Sequence, residues 1–168
     1  VHDAFGKHLC VDISDLRSAR LVLSDHPPPP NLEDRIDQEA LAYLRTARHL
    51  KAFSDGVRSY IGLHAELLAH HHRYVMVDEP EAFLHPPLAR RLGFNLSNLA
   101  AERGSSVFAA THSPDFLMGC IESGVPVNII RMGYRNGRAS AHLLPYEKLQ
   151  EMMYDPLLRS TGILGALF

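Results

Sequence analysis

Two short apolar runs separated by one helical pattern constrain the fold of this 168-residue chain more than any other feature. The runs are Tyr74–Asp78 (YVMVD) and Ser105–Thr111 (SSVFAAT). Between them, Pro87–Arg103 has the pattern of a helix, and Gly104 stands in the position of its C-cap. Strands that alternate with helices favour an α/β layer fold with parallel strands. The sequence therefore predicts an α/β fold in which these two strands are buried.

The first run ends in two adjacent acids, Asp78 and Glu79, followed by Pro80. Two charges at the end of a buried strand are costly unless a cation or a proton donor meets them. The carboxyl ends of the strands are also the edge at which α/β folds bind ligands. In nucleotide hydrolysis, the first acid would hold Mg²⁺ and the second would orient or deprotonate the attacking water. Adjacent acids also occur on ordinary surface loops, and this alternative stays open.

A second motif, Phe53-Ser54-Asp55-Gly56, precedes an amphipathic helix over about Val57–His71. Ser54 can cap the helix, and Gly56 allows backbone N–H groups to approach a ligand closely. Together with the helix dipole, these features favour an anion site. An ordinary N-cap with a turn glycine has the same sequence, so the motif alone does not decide between them.

The third motif, Thr111-His112-Ser113-Pro114, follows the second apolar run. A histidine at the end of a strand can reach a γ-phosphate and stabilise its developing charge. A lone histidine in this position is more often structural. The conjunction is more specific than its parts: Ser-x-Gly before a helix, Asp-Glu after a strand and His after the next strand occur in that order, each about one helix-and-strand unit apart.

This order resembles the C-terminal half of an ABC-type ATPase head, with its signature motif, Walker B strand and switch histidine. The stretches FSDGVRSYIGLHAELL, VDEPEAFLHPPLARRLG and ATHSPDFL resemble AAA-type ATPases of the OLD (overcoming lysogenization defect) group. Those proteins couple an ABC-like ATPase to a C-terminal Toprim nuclease domain. The resemblance covers about Leu50–Phe168, and the closing DPLLRSTGILGALF looks like the segment that leads into the Toprim-like region. It implies a P-loop NTPase-like partial domain with a mainly parallel sheet flanked by helices, a C-terminal β-hairpin and a helical tail.

The resemblance implies a site that is shared between two subunits. Ser54, Asp55 and Gly56 would contact the γ-phosphate of an ATP held by a partner subunit, so that the protein works as a head-to-tail dimer across ATP. Leu84-His85-Pro86 would occupy the D-loop, which crosses the dimer interface. A transporter-type D-loop usually ends in an aspartate, and this chain has none there, which puts its role in communication in doubt.

The resemblance also assigns the catalytic roles. Asp78 would support Mg²⁺, Glu79 would be the general base, and His112 would be the γ-phosphate sensor. Hydrolysis would regulate an attached domain, and DNA would be a partner through the nuclease. No membrane partner is expected.

The phosphate-binding loop of such a site is not recognisable in the sequence. It requires G-x-x-x-x-G-K-[ST], whose backbone N–H groups and lysine wrap the β- and γ-phosphates. The one Gly-Lys pair is Gly6-Lys7, where Val1 replaces the first glycine, His8 replaces Ser or Thr, and a strand follows instead of a helix. We therefore expect no tight ATP binding by this chain alone. Because the chain starts at Val1 and ends on apolar residues, we expect a fragment whose P-loop lies upstream, with a degenerate ATPase as the alternative.

Three regions are predicted along the chain: residues 1–50 with strands, a Pro-rich connector and a helix, residues 51–144 as the ATPase lobe, and residues 145–168 as a helical tail toward a further domain. The first helix is predicted over Glu33–Phe53 from its apolar spacing. Asn136-Gly137 predicts a tight turn between strands at Val127–Met132 and Ala139–Leu144.

Composition gives weaker limits. The net charge of −2 gives no overall basic signal for nucleic acid, and two cysteines are too few for a disulfide or zinc framework. No apolar run approaches the roughly 18 residues of a membrane helix. These features predict a cytoplasmic domain. His70-His71-His72 is a weak metal motif because consecutive helical side chains point about 100° apart. Arg90, Arg91 and Arg103 fit a solvated face, with a nucleic-acid or phosphate contact as the alternative.

Two other functions stay open at this stage. A non-catalytic module could use the same α/β core for dimerisation or regulation only. A membrane-transporter ATPase is the third possibility, although the wording DEPEAFLHP departs from the usual transporter D-loop.

Overall fold

The computed structural model describes residues 1–15, 18–34, 36–69 and 72–148, and within it the chain divides into two compact units. The first unit contains Val1–Glu66 and Ala82–Leu84, and the second contains Leu67–Glu81 and the chain from His85 onward. From residue 149 the predicted helical tail lies outside the described residues.

The described elements alternate between short strands and helices. In chain order they are α1 (His2–Phe5), β1 (His8–Asp12), β2 (Arg20–Ser24), α2 (Gln38–Thr46), β3 (Arg48–His49), α3 (Asp55–Ala69), β4 (Tyr74–Asp78), α4 (Pro86–Arg103), β5 (Ser106–Ala110), α5 (Pro114–Glu122), β6 (Ile129–Arg135) and β7 (Arg138–Leu144). None of the described helices combines the length and the apolarity that crossing a membrane requires.

The first unit is built on an antiparallel sheet of β1, β2 and β3. Strands β1 and β2 pair from His8 opposite Ser24 to Asp12 opposite Arg20. Helix α2 packs on this sheet, and the buried core consists of Cys10, Val22, Leu32, Ala40 and Leu44.

Helix α2 is shorter than the predicted helix over Glu33–Phe53, which is wrong at both ends. The helix starts at Gln38 because the Asp37 carboxylate accepts a hydrogen bond from the Ala40 N–H at 2.9 Å and caps it. It ends at Thr46 because β3 then pairs with β2. A long-range strand contact therefore overrides the local helical spacing.

Helix α3 buries an aromatic group in the first unit. Tyr60 is fully buried, stacks on the His64 ring at a centroid distance of 4.4 Å and meets the edge of Phe5 at 5.1 Å. His64 Nδ1 donates to the Tyr60 carbonyl at 2.8 Å, which leaves Nε2 buried without a hydrogen-bond partner among the described residues. Burial lowers the pKa of His64, and the bond to the Tyr60 carbonyl offsets only part of this effect.

In the second unit, β4 and β5 form a parallel pair connected by α4. The pairing runs from Tyr74 opposite Ser106 to Asp78 opposite Ala110, which confirms the predicted α/β arrangement. The prediction that both strands are buried is wrong for the described chain. Met76 is 83% exposed and Phe108 57%, and these directly paired side chains lie on a face that no described element covers.

Helices α4 and α5 approach each other closely through two glycines. A Cβ on Gly93 would lie 2.2 Å from the Phe116 carbonyl oxygen, and a Cβ on Gly119 would lie 1.8 Å from the Arg90 carbonyl oxygen. Both distances are shorter than any van der Waals contact, so only glycine permits this backbone-to-backbone approach. Arg90 also donates two hydrogen bonds to the Glu122 carboxylate across the same contact, one of them at 2.7 Å.

The predicted hairpin is formed by β6 and β7. Asn136 and Gly137 both have positive φ, 53° and 75°, as a type I′ turn requires. At the base of the hairpin, Ile129 and Leu144 pack with Ile121 of α5.

We expect Gly119→Ala to destabilise the protein by about 3 kcal/mol or more, because the new methyl group meets backbone atoms that cannot rotate away. Gly62→Ala is the matched control, since Gly62 lies in α3 and a methyl group added there would have no neighbouring atom within 4 Å. Loss of a flexible residue there should stabilise the helix by about 0.5–1 kcal/mol. Urea unfolding followed by circular dichroism measures the unfolding free energy of both variants. Equal values for Gly119→Ala and Gly62→Ala would contradict the tight contact.

We also expect His64 to make the protein less stable in acid. Its pKa is lower in the folded protein than the ordinary 6.5, so the unfolded chain binds the proton more tightly. The stability is therefore fully present above pH 6.5 and is lost as the pH falls toward the folded pKa. His64→Leu should lose less unfolding free energy than the parent between pH 7.5 and pH 5. An equal loss in both proteins would show that His64 is not responsible.

Candidate active site

The two acids at the end of β4 lie at a sharp change in backbone direction. Asp78 is the last residue of the strand, and the Glu79 N–H still donates to the Ala110 carbonyl at 2.8 Å. Glu79 then has a φ of 45°, a conformation that is strained for a residue with a side chain. The chain consequently leaves both acids exposed and turns Pro80 and Glu81 into the interior.

The structure brings Glu79 and His112 together. Glu79 Oε1 lies 3.1 Å from His112 Nδ1, and the two side chains are 53% and 78% exposed. Water screens a pair with this exposure, so their attraction alone holds the geometry weakly. The parallel register accounts for the proximity, because Asp78 is opposite Ala110 and both loops leave the sheet at the same edge. His112 is thus the side chain that lies beside Glu79 at this edge.

Asp78 is available to a cation. Its side chain is exposed, and the described ranges contain no hydrogen bond or ion pair to its carboxylate. Those ranges also contain no group of three or more side chains able to enclose a metal. Mg²⁺ is commonly bound by one or two carboxylates together with waters and substrate phosphates. The site therefore fits magnesium that arrives with a nucleotide, whereas a protein-only metal cage does not fit.

A buried carboxylate beside this pair was missed by reasoning from the sequence. Glu81 is only 8% exposed, and its Oε1 accepts a hydrogen bond from Thr111 Oγ1 at 2.5 Å. A hydrogen bond to a charged group contributes about 1.5–3 kcal/mol to stability. The available signal was the position of Glu81 two residues after Glu79 together with a hydroxyl next to His112, but sequence does not reveal burial.

The surroundings of Glu81 are poorly solvated. Burial raises the pKa of the nearby Cys120 thiol to about 11, and the negative charge of Glu81 adds to this effect. The thiol is therefore neutral at physiological pH and has no nucleophilic character.

The Ser54-Asp55-Gly56 motif lies in the first unit, whereas Asp78, Glu79 and His112 lie in the second. Helix α3 starts at Asp55, which forms an ion pair with Arg58, and the Ser54 carbonyl accepts the Arg58 N–H at 3.0 Å. Gly56 is buried, and a Cβ there would lie 2.5 Å from the carbonyl oxygen of Phe83. The glycine thus permits the segment that follows the acidic motif to contact the first turn of α3.

Two weaker motifs have structural explanations, and a third lies mostly outside the described residues. The chain enters β1 after Gly6-Lys7, as predicted, and Lys7 forms an ion pair with Asp25. Arg90 is held by Glu122 as described above. Of the histidine triplet, His70 and His71 lie outside the described residues, while the His72 carbonyl accepts a hydrogen bond from Ser105 Oγ at 2.6 Å.

Comparisons with known proteins identify the family and the fold. Residues 17–118 match the family described as "AAA domain, putative AbiEii toxin, Type IV TA system". Over 114 residues, or 66% of the chain, the sequence is 26% identical to the lipoprotein-releasing system ATP-binding protein LolD of Neorickettsia sennetsu (strain ATCC VR-367 / Miyayama). The chain spans 50% of the length of that curated relative.

Two solved structures share the fold at 13% sequence identity. One is described as "Structural biochemistry of ATP-driven dimerization and DNA stimulated activation of SMC ATPases" and has a TM-score of 0.58. The match covers 89% of the present chain and 80% of the solved chain. The other is described as "Crystal structure of the SmcHead bound to the C-winged helix domain of ScpA" and has a TM-score of 0.57. Its match covers 88% of the present chain and 40% of the solved chain. The fold is thus P-loop NTPase-like α/β, as predicted. Since the family match covers more than half of its residues, the chain belongs to the AAA-domain family of AAA/ABC-type P-loop ATPases.

Proposed function

We propose that this chain supplies the hydrolytic half of an ATP site in an ABC-type ATPase of the OLD group. The observation that carries the proposal is the 3.1 Å approach of His112 Nδ1 to Glu79 Oε1, beside the exposed carboxylate of Asp78. An acid, a base and a cation ligand at the carboxyl edge of a parallel pair are the groups that nucleotide hydrolysis requires.

Each side chain has a role in this chemistry. Asp78 would hold magnesium bound with ATP, and the ion would neutralise charge on the phosphates. Glu79 orients the attacking water and accepts its proton. His112 lies beside Glu79 and donates to a γ-phosphate oxygen as negative charge develops there.

The remainder of the site comes from outside this chain. No G-x-x-x-x-G-K-[ST] pattern occurs in the 168 residues, and in this proposal a P-loop elsewhere in the intact protein grips the β- and γ-phosphates. Ser54-Asp55-Gly56 completes the site of a partner subunit in a head-to-tail dimer. Support comes from the SMC relative, whose description names ATP-driven dimerisation.

The dimer in this proposal regulates an attached domain, which the OLD resemblance suggests is a DNA-processing nuclease, and the composition supports a cytoplasmic location. The description of the SMC relative also names activation by DNA. This part of the proposal depends on the resemblance and on that relative, because the net charge of −2 gives no independent signal for DNA.

In the full-length protein that contains this chain, we expect Glu79→Gln to reduce ATP turnover by about 10²–10⁴-fold, the usual contribution of a general base. Binding of Mg²⁺–ATP should change little because Asp78 is retained. A coupled assay for phosphate release and a fluorescent ATP-analogue titration measure the two effects separately.

Glu102→Gln is the matched control, since Glu102 is exposed on α4 and should leave both measurements unchanged. Unchanged turnover in Glu79→Gln would remove Glu79 from the base role. Absence of any Mg²⁺-dependent ATP binding by the parent protein would favour a non-catalytic dimerisation module.

A further inference from the structure

Glu81 is a charged side chain that the proposed hydrolysis does not use, and its placement is costly. It is 8% exposed, whereas Glu79, two residues earlier, has a side chain that is 53% exposed. One carboxylate oxygen, Oε2, is buried without a hydrogen-bond partner among the described residues. A buried carboxylate that is only partly satisfied calls for a specific explanation.

The other oxygen of Glu81 begins a short series of hydrogen bonds around His112. Glu81 Oε1 accepts from Thr111 Oγ1 at 2.5 Å, and the same Thr111 oxygen accepts the Ser113 N–H at 3.0 Å. The residues on both sides of His112 therefore belong to one network. Glu81 connects this network to the loop that carries Glu79.

The far end of the network is fixed to a buried helix. Ser113 Oγ accepts the Phe116 N–H at 3.2 Å and caps α5. Phe116 is 2% exposed, and its carbonyl lies against Gly93 of α4 in the close contact described above. The loop that bears His112 thus has one anchor in the packed pair of helices and a second anchor at Glu81.

We propose that Glu81 is a positioning residue which, through Thr111, fixes the backbone of His112 relative to Glu79. The proposal rests on the proposed ATPase function for its catalytic consequence. Because the Glu79 and His112 side chains are exposed, their own attraction is screened, and the partly buried network around Thr111 sets their 3.1 Å separation. Glu81 itself touches neither ATP nor the attacking water.

The test uses four variants of the full-length protein. Thr111→Val removes the hydroxyl with little change in shape, and Thr111→Ser restores it. Glu81→Met combined with Thr111→Val removes both partners of the Glu81–Thr111 bond, so that the Ser113 N–H, which also loses its acceptor in Thr111→Val alone, is the one group left without its former partner. Thr46→Val is the matched control, because Thr46 is exposed at the end of α2 and its hydroxyl donates to the Tyr43 carbonyl.

For Thr111→Val we expect kcat to fall about 10–100-fold, since a catalytic group displaced by about 1 Å costs up to 10²-fold in rate. KM for ATP should stay within about threefold of the parent value. Thr111→Ser should return kcat to near the parent value, and Thr46→Val should not change it. In the double variant, the melting temperature should recover toward that of the parent while kcat stays low.

A kcat that recovers in the double variant together with its melting temperature would show that the network is only structural and would overturn the proposal. Parent-like kcat in Thr111→Val, in a protein whose turnover Glu79→Gln abolishes, would overturn the positioning role while leaving the proposed function in place.

If Glu79→Gln retains full turnover, the result contradicts the proposed function instead. The positioning role is then judged on the His112 imidazole signal in ¹³C-histidine-labelled protein, assigned with His112→Gln. Thr111→Val should shift this signal and Thr111→Ser should leave it in place. An unshifted signal in Thr111→Val would overturn the positioning role as well.

Discussion

The in-register parallel pairing of β4 and β5 is the interaction on which the candidate site depends. It places Asp78 opposite Ala110, and the Glu79 N–H extends the ladder by one more bond at 2.8 Å. A slip of one residue would displace the following loop by about 3.3 Å and turn its side chains to the opposite face. The backbone hydrogen bonds of the strand pair therefore bring the Glu79 and His112 loops to the same edge, and the Glu81–Thr111 contact acts within that arrangement.

The close contact of α4 and α5 transmits this constraint to the loop after β5. Only three residues, Thr111 to Ser113, connect the strand to α5, so the position of the helix largely determines the position of His112. Gly93 and Gly119 have no side chains, which allows the backbones of the two helices to come into direct contact. Such an interface has little freedom to slide, because any residue larger than glycine would have to separate the helices.

Local features of this fold could be predicted from the sequence, and long-range ones could not. The start of helix α5 follows from local features, because Ser113 caps it and Pro114 occupies its first turn. The turn at Asn136-Gly137 follows equally from local conformational preference. The end of α2 depends on pairing between β3 and β2, which local spacing does not encode. The sequence brought the acidic pair and His112 to one edge, but the burial of Glu81 is a tertiary property that only the packed structure reveals.

Glu79 has a positive φ, so the carboxylate at this position occupies a backbone conformation that glutamate does not favour. Glycine or asparagine would adopt the same backbone with less strain, and a conformation of this kind costs other residues about 1–2 kcal/mol. A selection for thermal stability alone would therefore favour replacing the very carboxylate that the site presents to water. Under the proposed base role of Glu79, directed evolution for stability would have to retain glutamate at position 79 and take its gains from positions whose backbone and side chain favour the same residue.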